Sequence, residues 1–415
     1  MKFTRLSNAS DTSHSKIMSL ATAIVIGGGV TGLSTAYHLA RKKFGKVILL
    51  DKGPVGDGSS SRAAGIITGL LWSKPGVLAR KKSLSLFREL SNELEGYKFQ
   101  DVGCLNLFDP QTWSDREKLL PLYRECEAPF EKIDSAEIRR RWPALTPRED
   151  LIGLFDPLGG YSEPHDYIPA LAKKTRELGV EIRENQKVTA FIVRNGRVAG
   201  VRMDGGSIEA DAVVCTVYAW TLKVIEQINL RLPIKMFVHQ RYTTHPLAAA
   251  VKIPAVNANP LGGYMRPASG NRILAGIETA EREEWRVTSE DFHMAALSAA
   301  AELKGKIKSD FISLLPPLGA ASWETEKVGL LTFAMDGEPI LGPVKQLPGF
   351  YVGVAFHSGG FAYNPVTGLL LAEFVADGRT SIDVTAFSPD RFESREVDEY
   401  LATTVAQKDV VKRRH

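Results

Sequence analysis

The stretch from Ala23 to Gly32, AIVIGGGVTG, constrains this chain more than any other. Ala21–Ile26 is an apolar, β-branched run of the kind that forms a strand buried on both faces. It passes directly into Gly27-Gly28-Gly29-Val30-Thr31-Gly32, after which Leu33, Ala36, Leu39 and Ala40 recur at helical spacing. Strand, glycine turn and helix in this order make a diphosphate-binding unit. Gly27 permits the tight turn, and Gly29 lets the backbone approach a pyrophosphate. Gly32 lets helix and strand pack closely, while the helix N-terminus at Val30 and Thr31 faces the phosphates. A second strand, Lys46–Leu50, ends at Asp51-Lys52. The Asp51 carboxylate lies about 20 residues past the glycines, where it accepts hydrogen bonds from a ribose diol. The motif by itself does not separate a nicotinamide from a flavin dinucleotide.

The next loop separates them. Gly56-Asp57-Gly58-Ser59-Ser60-Ser61-Arg62-Ala63-Ala64-Gly65 is a second small-residue run. It can lay backbone N–H groups, the hydroxyls of Ser59, Ser60 and Ser61, and the Arg62 cation along a diphosphate and beyond it, with Ala64 and Gly65 continuing the close approach. Ile66-Ile67 and Leu70-Leu71-Trp72 follow directly, so the loop leads into a packed segment and not a surface linker. A nicotinamide cofactor does not usually need this second loop; an extended FAD does.

Composition removes other classes. The 52 Lys and Arg stand against 48 Asp and Glu, a net charge of +4 scattered along 415 residues, so nucleic acid or acidic lipid is not implied. Cys104, Cys126 and Cys215 form no CxxC pair, which supports neither a disulfide framework nor a metal site. No hydrophobic run reaches the roughly 18 residues of a membrane span. The first 20 residues are polar with no apolar h-region, so a disordered leader over 1–17 and a cytoplasmic location are expected.

Further motifs follow in order: GGYSEPHDYIPALAKKTRELGVEI at 159–182, DAVVCTVYAW at 211–220, LPIKMFVHQRYTTHPL at 232–247, then GYMRPASGNRILAGIE, MDGEPILGPV and GFYVGVAFHSGGFAYNPVTG. With GGGVTG and GSSSRAAG, they make the chain resemble the D-amino-acid oxidase superfamily of FAD enzymes from about Ala21 to Phe392. Within it, the sarcosine oxidase β-subunit and dimethylglycine/sarcosine dehydrogenase branch is most similar. The resemblance implies an α/β fold (α+β overall). A Rossmann-like FAD-binding domain takes 18–95, 150–235 and 328–395, an antiparallel-sheet substrate domain takes 96–149 and 236–327, and 396–415 is a tail. It implies oxidation of the C–N bond of a secondary or N-methyl amine, an amino acid derivative, by hydride transfer to flavin N5, with water hydrolysing the imine. The acceptor is O2 or another redox carrier; with leucine at 274, where oxygen-reactive relatives carry a lysine, a dehydrogenase or slow oxidase is expected. Oxidation of a 2-hydroxy acid on the same fold, or an accessory flavoprotein subunit without turnover, remain open. So do a homo-oligomer and membership of a hetero-complex.

The resemblance also assigns residues. Backbone N–H groups around Ser358, Gly359, Gly360 and Phe361 face the flavin pyrimidine edge and stabilise negative charge there, helped by the dipole of the helix that follows. Val188 contacts the adenine side. Covalent attachment is not expected: Arg62 stands near the position of the attaching histidine, and no cysteine occupies the alternative position. The usual carboxylate clamp is missing. Leucine replaces its arginine within Gly329–Phe333, Thr68 replaces another, and Ala362 replaces a lysine. Arg266, in Tyr264-Met265-Arg266-Pro267, is the first substitute and Arg241 the second. His239 and Tyr242 match an HQxY pattern and are candidates to line the pocket with Tyr264, Tyr363 and Trp72. His357, beside the flavin loop, is a candidate base or orienting group. Tyr218 stands where relatives have glycine. Locally, Phe237–His245 and Gly263–Ile277 are expected as strands, the latter turning at Ser269-Gly270-Asn271. Ser135–Trp142 and Ser289–Leu303 are expected as helices.

Overall fold

The computed structural model describes residues 21–277, 284–406 and 409–410; the expected leader over 1–17 lies outside the described residues. A six-stranded sheet runs in the order β18 (Ile340–Pro343), β19 (Phe350–Val354), β12 (Ala212–Cys215), β1 (Thr22–Ile26), β2 (Lys46–Leu50), β8 (Glu181–Arg183). All neighbours are parallel except β18 on β19. Ala23, Ile24 and Val25 have no exposed surface, as expected for a parallel strand covered on both faces. Helices Val30–Arg41 and Gly360–Asp377 cover one face and meet where Gly368 backs onto Ser34. The two ends of the chain are therefore joined in one layer.

A three-stranded meander stands beside this sheet: β9 (Val188–Arg194), β10 (Arg197–Met203), β11 (Gly206–Glu209). Its first turn is Asn195-Gly196, both at positive φ, which suits a tight two-residue hairpin. The largest sheet has nine strands, in the order β20 (Phe356–His357), β17 (Trp323–Ala334), β13 (Ile234–Thr244), β16 (Arg272–Ile277), β15 (Gly263–Ala268), β14 (Ala255–Ala258), β4 (Cys104–Phe108), β6 (Ile152–Asp156), β5 (Glu131–Asp134). Only β14 on β4 is parallel. A small pair, β3 (Ile66–Ile67) and β7 (Gly160–Tyr161), links the second glycine loop to the segment near residue 160. The boundaries expected at 150 and 328 cut this arrangement differently. Strand β6 pairs with β4 and β5 in the larger sheet, and β17 continues in it past residue 328.

Two expectations need correction. Ser289–Leu303 is not a helix: 289–302 contains one short turn at Met294–Ala296, and the helix is Leu303–Phe311. Its backbone carbonyls are claimed by tertiary donors, since Lys52 Nζ bonds the oxygens of Glu290 and Phe292 and Trp220 Nε1 bonds that of Phe292. Met294 and Leu297 are buried with Met236 and Leu330, so packing outweighs helical spacing. The segment from 396 is also more than a tail. Helix Ser394–Ala402 docks through Arg231–Asp398, and buried Lys235 bonds the Thr403 carbonyl. Among the described residues no helix is long and apolar enough to cross a membrane.

Candidate active site

One cavity of about 280 Å³ is lined by residues of both large sheets. At one end it is lined by Gly27, Gly29, Val30, Thr31, Asp51 and Lys52. Gly27 takes φ +102°, and a side chain on Gly32 would place its Cβ 1.8 Å from the Gly27 oxygen, so this turn closes only with glycine at both places. Gly29 offers helix Val30–Arg41 no side-chain cap of its own, and the first helical residues Val30 and Thr31 line the cavity. The Asp51 carboxylate accepts from the N–H of Gly28 (2.6 Å) and Gly53 (2.8 Å). Burial raises its pKa above the usual carboxylate value, and these two bonds oppose the shift. Val188 also lines this end. Lys52 lines it too, but its ammonium holds the 290–292 carbonyls and lies 4.6 Å over the Trp220 ring. Glu290, His293 and Met294 consequently form part of the cavity wall, which sequence spacing had hidden inside an expected helix.

The second glycine loop supplies the middle. Ser59, Ser60, Arg62, Ala64 and Gly65 line the cavity, and Ser60 Oγ accepts from the Val30 N–H at 3.0 Å, tying the two glycine motifs together. The Arg62 guanidinium turns back onto the carbonyls of Asp57 and Gly58. Ser61 does not line the cavity; its carbonyl accepts from Arg241 Nη2 at 3.2 Å, and the Arg62 carbonyl accepts from Arg241 Nε at 3.0 Å. Burial, then the charge of nearby Arg266, pushes the Arg241 pKa down to about 10.

Arg266 corrects the expected clamp. Its side chain is fully buried, absent from the cavity lining, and paired with both oxygens of Glu163 at 2.8 Å. It also donates to the carbonyls of Ala64 and Pro267. Four of its five N–H donors are spent inside the protein, because a loop so rich in carbonyls needs donors and a buried guanidinium needs a carboxylate. Both arginines proposed from the sequence thus grip the second glycine loop from the larger sheet. Glu163 was visible only as part of a quoted motif, with nothing local to pair it with a residue 103 positions away.

At the far end, His239 and Tyr264 line the cavity, joined by a 2.8 Å bond between Nε2 and the phenol. Asn257 and Asn259 line it from β14 and the turn after it. Neither asparagine carries a sequence signal of its own. His357, Ser358, Gly360 and Phe361 close this end; Gly359 lies behind them. His357 takes φ +56° and its ring meets Phe333 edge-on at 5.0 Å. Tyr218, at φ +48°, donates to the His357 carbonyl (3.2 Å) and accepts from the Thr332 N–H (3.1 Å). A left-handed residue explains why glycine suits this position, and the two bonds show what the phenol adds. Tyr242, Tyr363 and Trp72 are core or half-buried groups outside the lining; Trp72 Nε1 bonds Glu338 at 2.9 Å. Thr68, which does line the cavity, bonds Asp156 at 2.8 Å.

A parallel sheet carrying a glycine fingerprint, a second glycine loop and a C-terminal glycine loop, all on one cavity, defines a dinucleotide-dependent oxidoreductase. Residues 22–374 match the FAD dependent oxidoreductase (DAO) family, and the chain belongs to that family of FAD-dependent oxidoreductases. It is 25% identical over 395 residues to 4-methylaminobutanoate oxidase (formaldehyde-forming) of Paenarthrobacter nicotinovorans, covering 92% of this chain and 47% of that protein. It is 28% identical over 411 residues to sarcosine oxidase subunit beta of Arthrobacter sp, covering 92% and 94%. Among solved structures, L-proline dehydrogenase from P. horikoshii superposes with a TM-score of 0.82 at 25% identity, covering 90% of this chain and 97% of that one. The chain spans about half the length of the first curated relatives it matches.

Proposed function

We propose that this protein oxidises the C–N bond of a small secondary or N-methyl amine, an amino acid derivative, to an imine that water hydrolyses. The reading is carried by one observation. The cavity runs unbroken from the fingerprint at Gly27–Gly32 to a far wall built by the nine-stranded sheet, where His239, Tyr264, Asn257 and His357 face the C-terminal glycine loop. The residues fit FAD. The glycine backbone and the N-terminus of helix Val30–Arg41 suit the diphosphate, and the half-buried Asp51 suits the ribose. The N–H groups at Ser358–Phe361 suit the pyrimidine edge. Bound FAD supplies the two-electron acceptor. The protein's own residues orient the amine and exclude water: the His239–Tyr264 pair offers one fixed donor and acceptor, and His357 is placed to take a proton from the substrate nitrogen.

Among the described residues, the lysines and arginines lining the cavity are Lys52, Arg62 and Lys187. Each head group is already engaged, by backbone carbonyls for Lys52 and Arg62 and by Glu290 and Asp291 for Lys187. A substrate at the far end is therefore held through neutral hydrogen-bonding groups in place of an arginine clamp. The relatives' printed names support the amine: one acts on a methylaminobutanoate, another is a sarcosine oxidase subunit. The near-complete coverage of that subunit favours a second element, membership of a hetero-complex.

The deciding experiment is an anaerobic absorbance titration of FAD-loaded protein with sarcosine, dimethylglycine, proline, neutral N-methyl amines and 2-hydroxy acids. Bleaching of the flavin by an N-methyl or cyclic amine is the expected result. Bleaching by 2-hydroxy acids alone would overturn the reading, and silence across the panel would move it to an accessory subunit.

A further inference from the structure

Arg80, on helix Lys74–Glu93, shares with Arg266 the place of largest fully buried side chain among the described residues, at 1% exposure. Unlike Arg266, it has no ion pair among the described residues, and its Nε has no hydrogen-bond partner. Its guanidinium lies 4.2 Å over the ring of Tyr363. The acid whose charge it feels, Asp156, is already satisfied by Thr68 and by the N–H groups of Gly69, Leu158 and Gly159. The other side of the guanidinium presses on Gly359: a Cβ there would sit 2.4 Å from Arg80 Nη2. Gly359 caps the 18-residue helix Gly360–Asp377 with no side-chain bond. A buried cation and the positive end of a long helix thus converge on one loop, and among the described residues no anion compensates either. An uncompensated buried charge is costly, and the chain keeps it at the back of the loop whose front lines the cavity.

We propose that Arg80 is a positioning residue for the cofactor: acting through Gly359, its charge favours the negatively charged state of a flavin whose pyrimidine edge faces Ser358–Phe361. The anion missing from the protein is the one the cofactor acquires on reduction. Arg80 does not line the cavity, so it acts through the loop and touches neither substrate nor cofactor. This rests on the FAD reading above.

The test uses FAD-loaded wild type, R80K and R80M, with the sulfite dissociation constant and the flavin midpoint potential as readouts. Sulfite adds to oxidised flavin and leaves negative charge on the pyrimidine side. R80M is expected to weaken sulfite binding at least tenfold, with a fall in potential of about 30 mV per tenfold for a two-electron couple. R80K is expected within threefold of wild type. The melting temperature of R80M apoprotein is expected to equal or exceed that of wild type, because an unpaired buried charge is removed. A flavin-loaded R80M with unchanged sulfite affinity and potential would sink the proposal, as would a folded R80K as impaired as R80M. If R80M does not fold, R80Q gives the same readouts with the same two overturning results. Wild-type protein that takes up no FAD would instead overturn the cofactor reading itself.

Discussion

The two ends of the cavity are built on opposite plans. The dinucleotide end is mostly backbone: glycines, a helix N-terminus and one carboxylate within Thr22–Gly65, with Val188 and the 290–294 segment added from elsewhere. The far end is side chain: a histidine, a phenol and asparagines drawn from β13, β14, the turn after β14 and β15, closed by a loop more than ninety residues later. The first plan tolerates almost no substitution, because a backbone turn admits one geometry. The second can exchange side chains while the sheet stays in place. Members of one family can therefore share a cofactor site and differ in substrate.

The comparison breaks most sharply at Gly32. Replacing it with valine puts side-chain atoms on the Gly27 carbonyl, and flavin content of the purified protein is expected to fall to near zero. Next is the support between the two ends. Glu163→Ala strands the Arg266 charge in the core and is expected to cost about 3–5 kcal/mol in denaturant unfolding. This pair also sets a pH dependence. Burial works to raise the Glu163 carboxyl, but the bonds and charge of Arg266 win and hold it below its usual value. A carboxyl depressed in the folded state stabilises fully above its unfolded pKa. The contribution is lost as pH falls through the lower folded value, so wild type should lose stability below about pH 4.5. E163A should lack that component. An unchanged acid profile in E163A would show that the pair does not brace the loop.

Smaller effects sharpen the contrast. Asp51→Asn removes the charge and leaves an acceptor for only one of the Gly28 and Gly53 N–H groups, which bond different carboxylate oxygens. FAD affinity, measured by fluorescence titration of apoprotein, is expected to fall roughly tenfold, about 1.4 kcal/mol. Tyr264→Phe removes one hydrogen bond to His239 at the far end. It should raise the amine KM several-fold, for about 1 kcal/mol, with flavin content unchanged. A Tyr264→Phe variant that loses FAD would erase the distinction between the two ends.

Legibility follows the same division. Strand Lys46–Leu50 has the expected bounds, and the turn at Ser269-Gly270-Asn271 falls between β15 and β16 as expected, because turn chemistry and alternation are local. His239, Tyr264 and His357 do lie together on the cavity. Arg266 could not be placed in the same way. On a strand, a one-residue difference in position decides whether a side chain faces the cavity or the core, and its carboxylate partner is distant in sequence. The helix expected over Ser289–Leu303 failed for a related reason, since Lys52 and Trp220 compete for the Phe292 carbonyl from 240 and 72 residues away, by bonds no window of sequence contains.

The sequence by itself determined the diphosphate turn, the order of its flanking elements and the second glycine loop, because each depends on what a few consecutive residues allow the backbone to do. Only the tertiary structure decided which cations are spent and which are not. Arg266 and Arg80 are both buried arginines, and what separates them is a glutamate brought within 2.8 Å of one and, among the described residues, no carboxylate paired with the other. Charge compensation acts through space, and the chain's fold alone sets those distances.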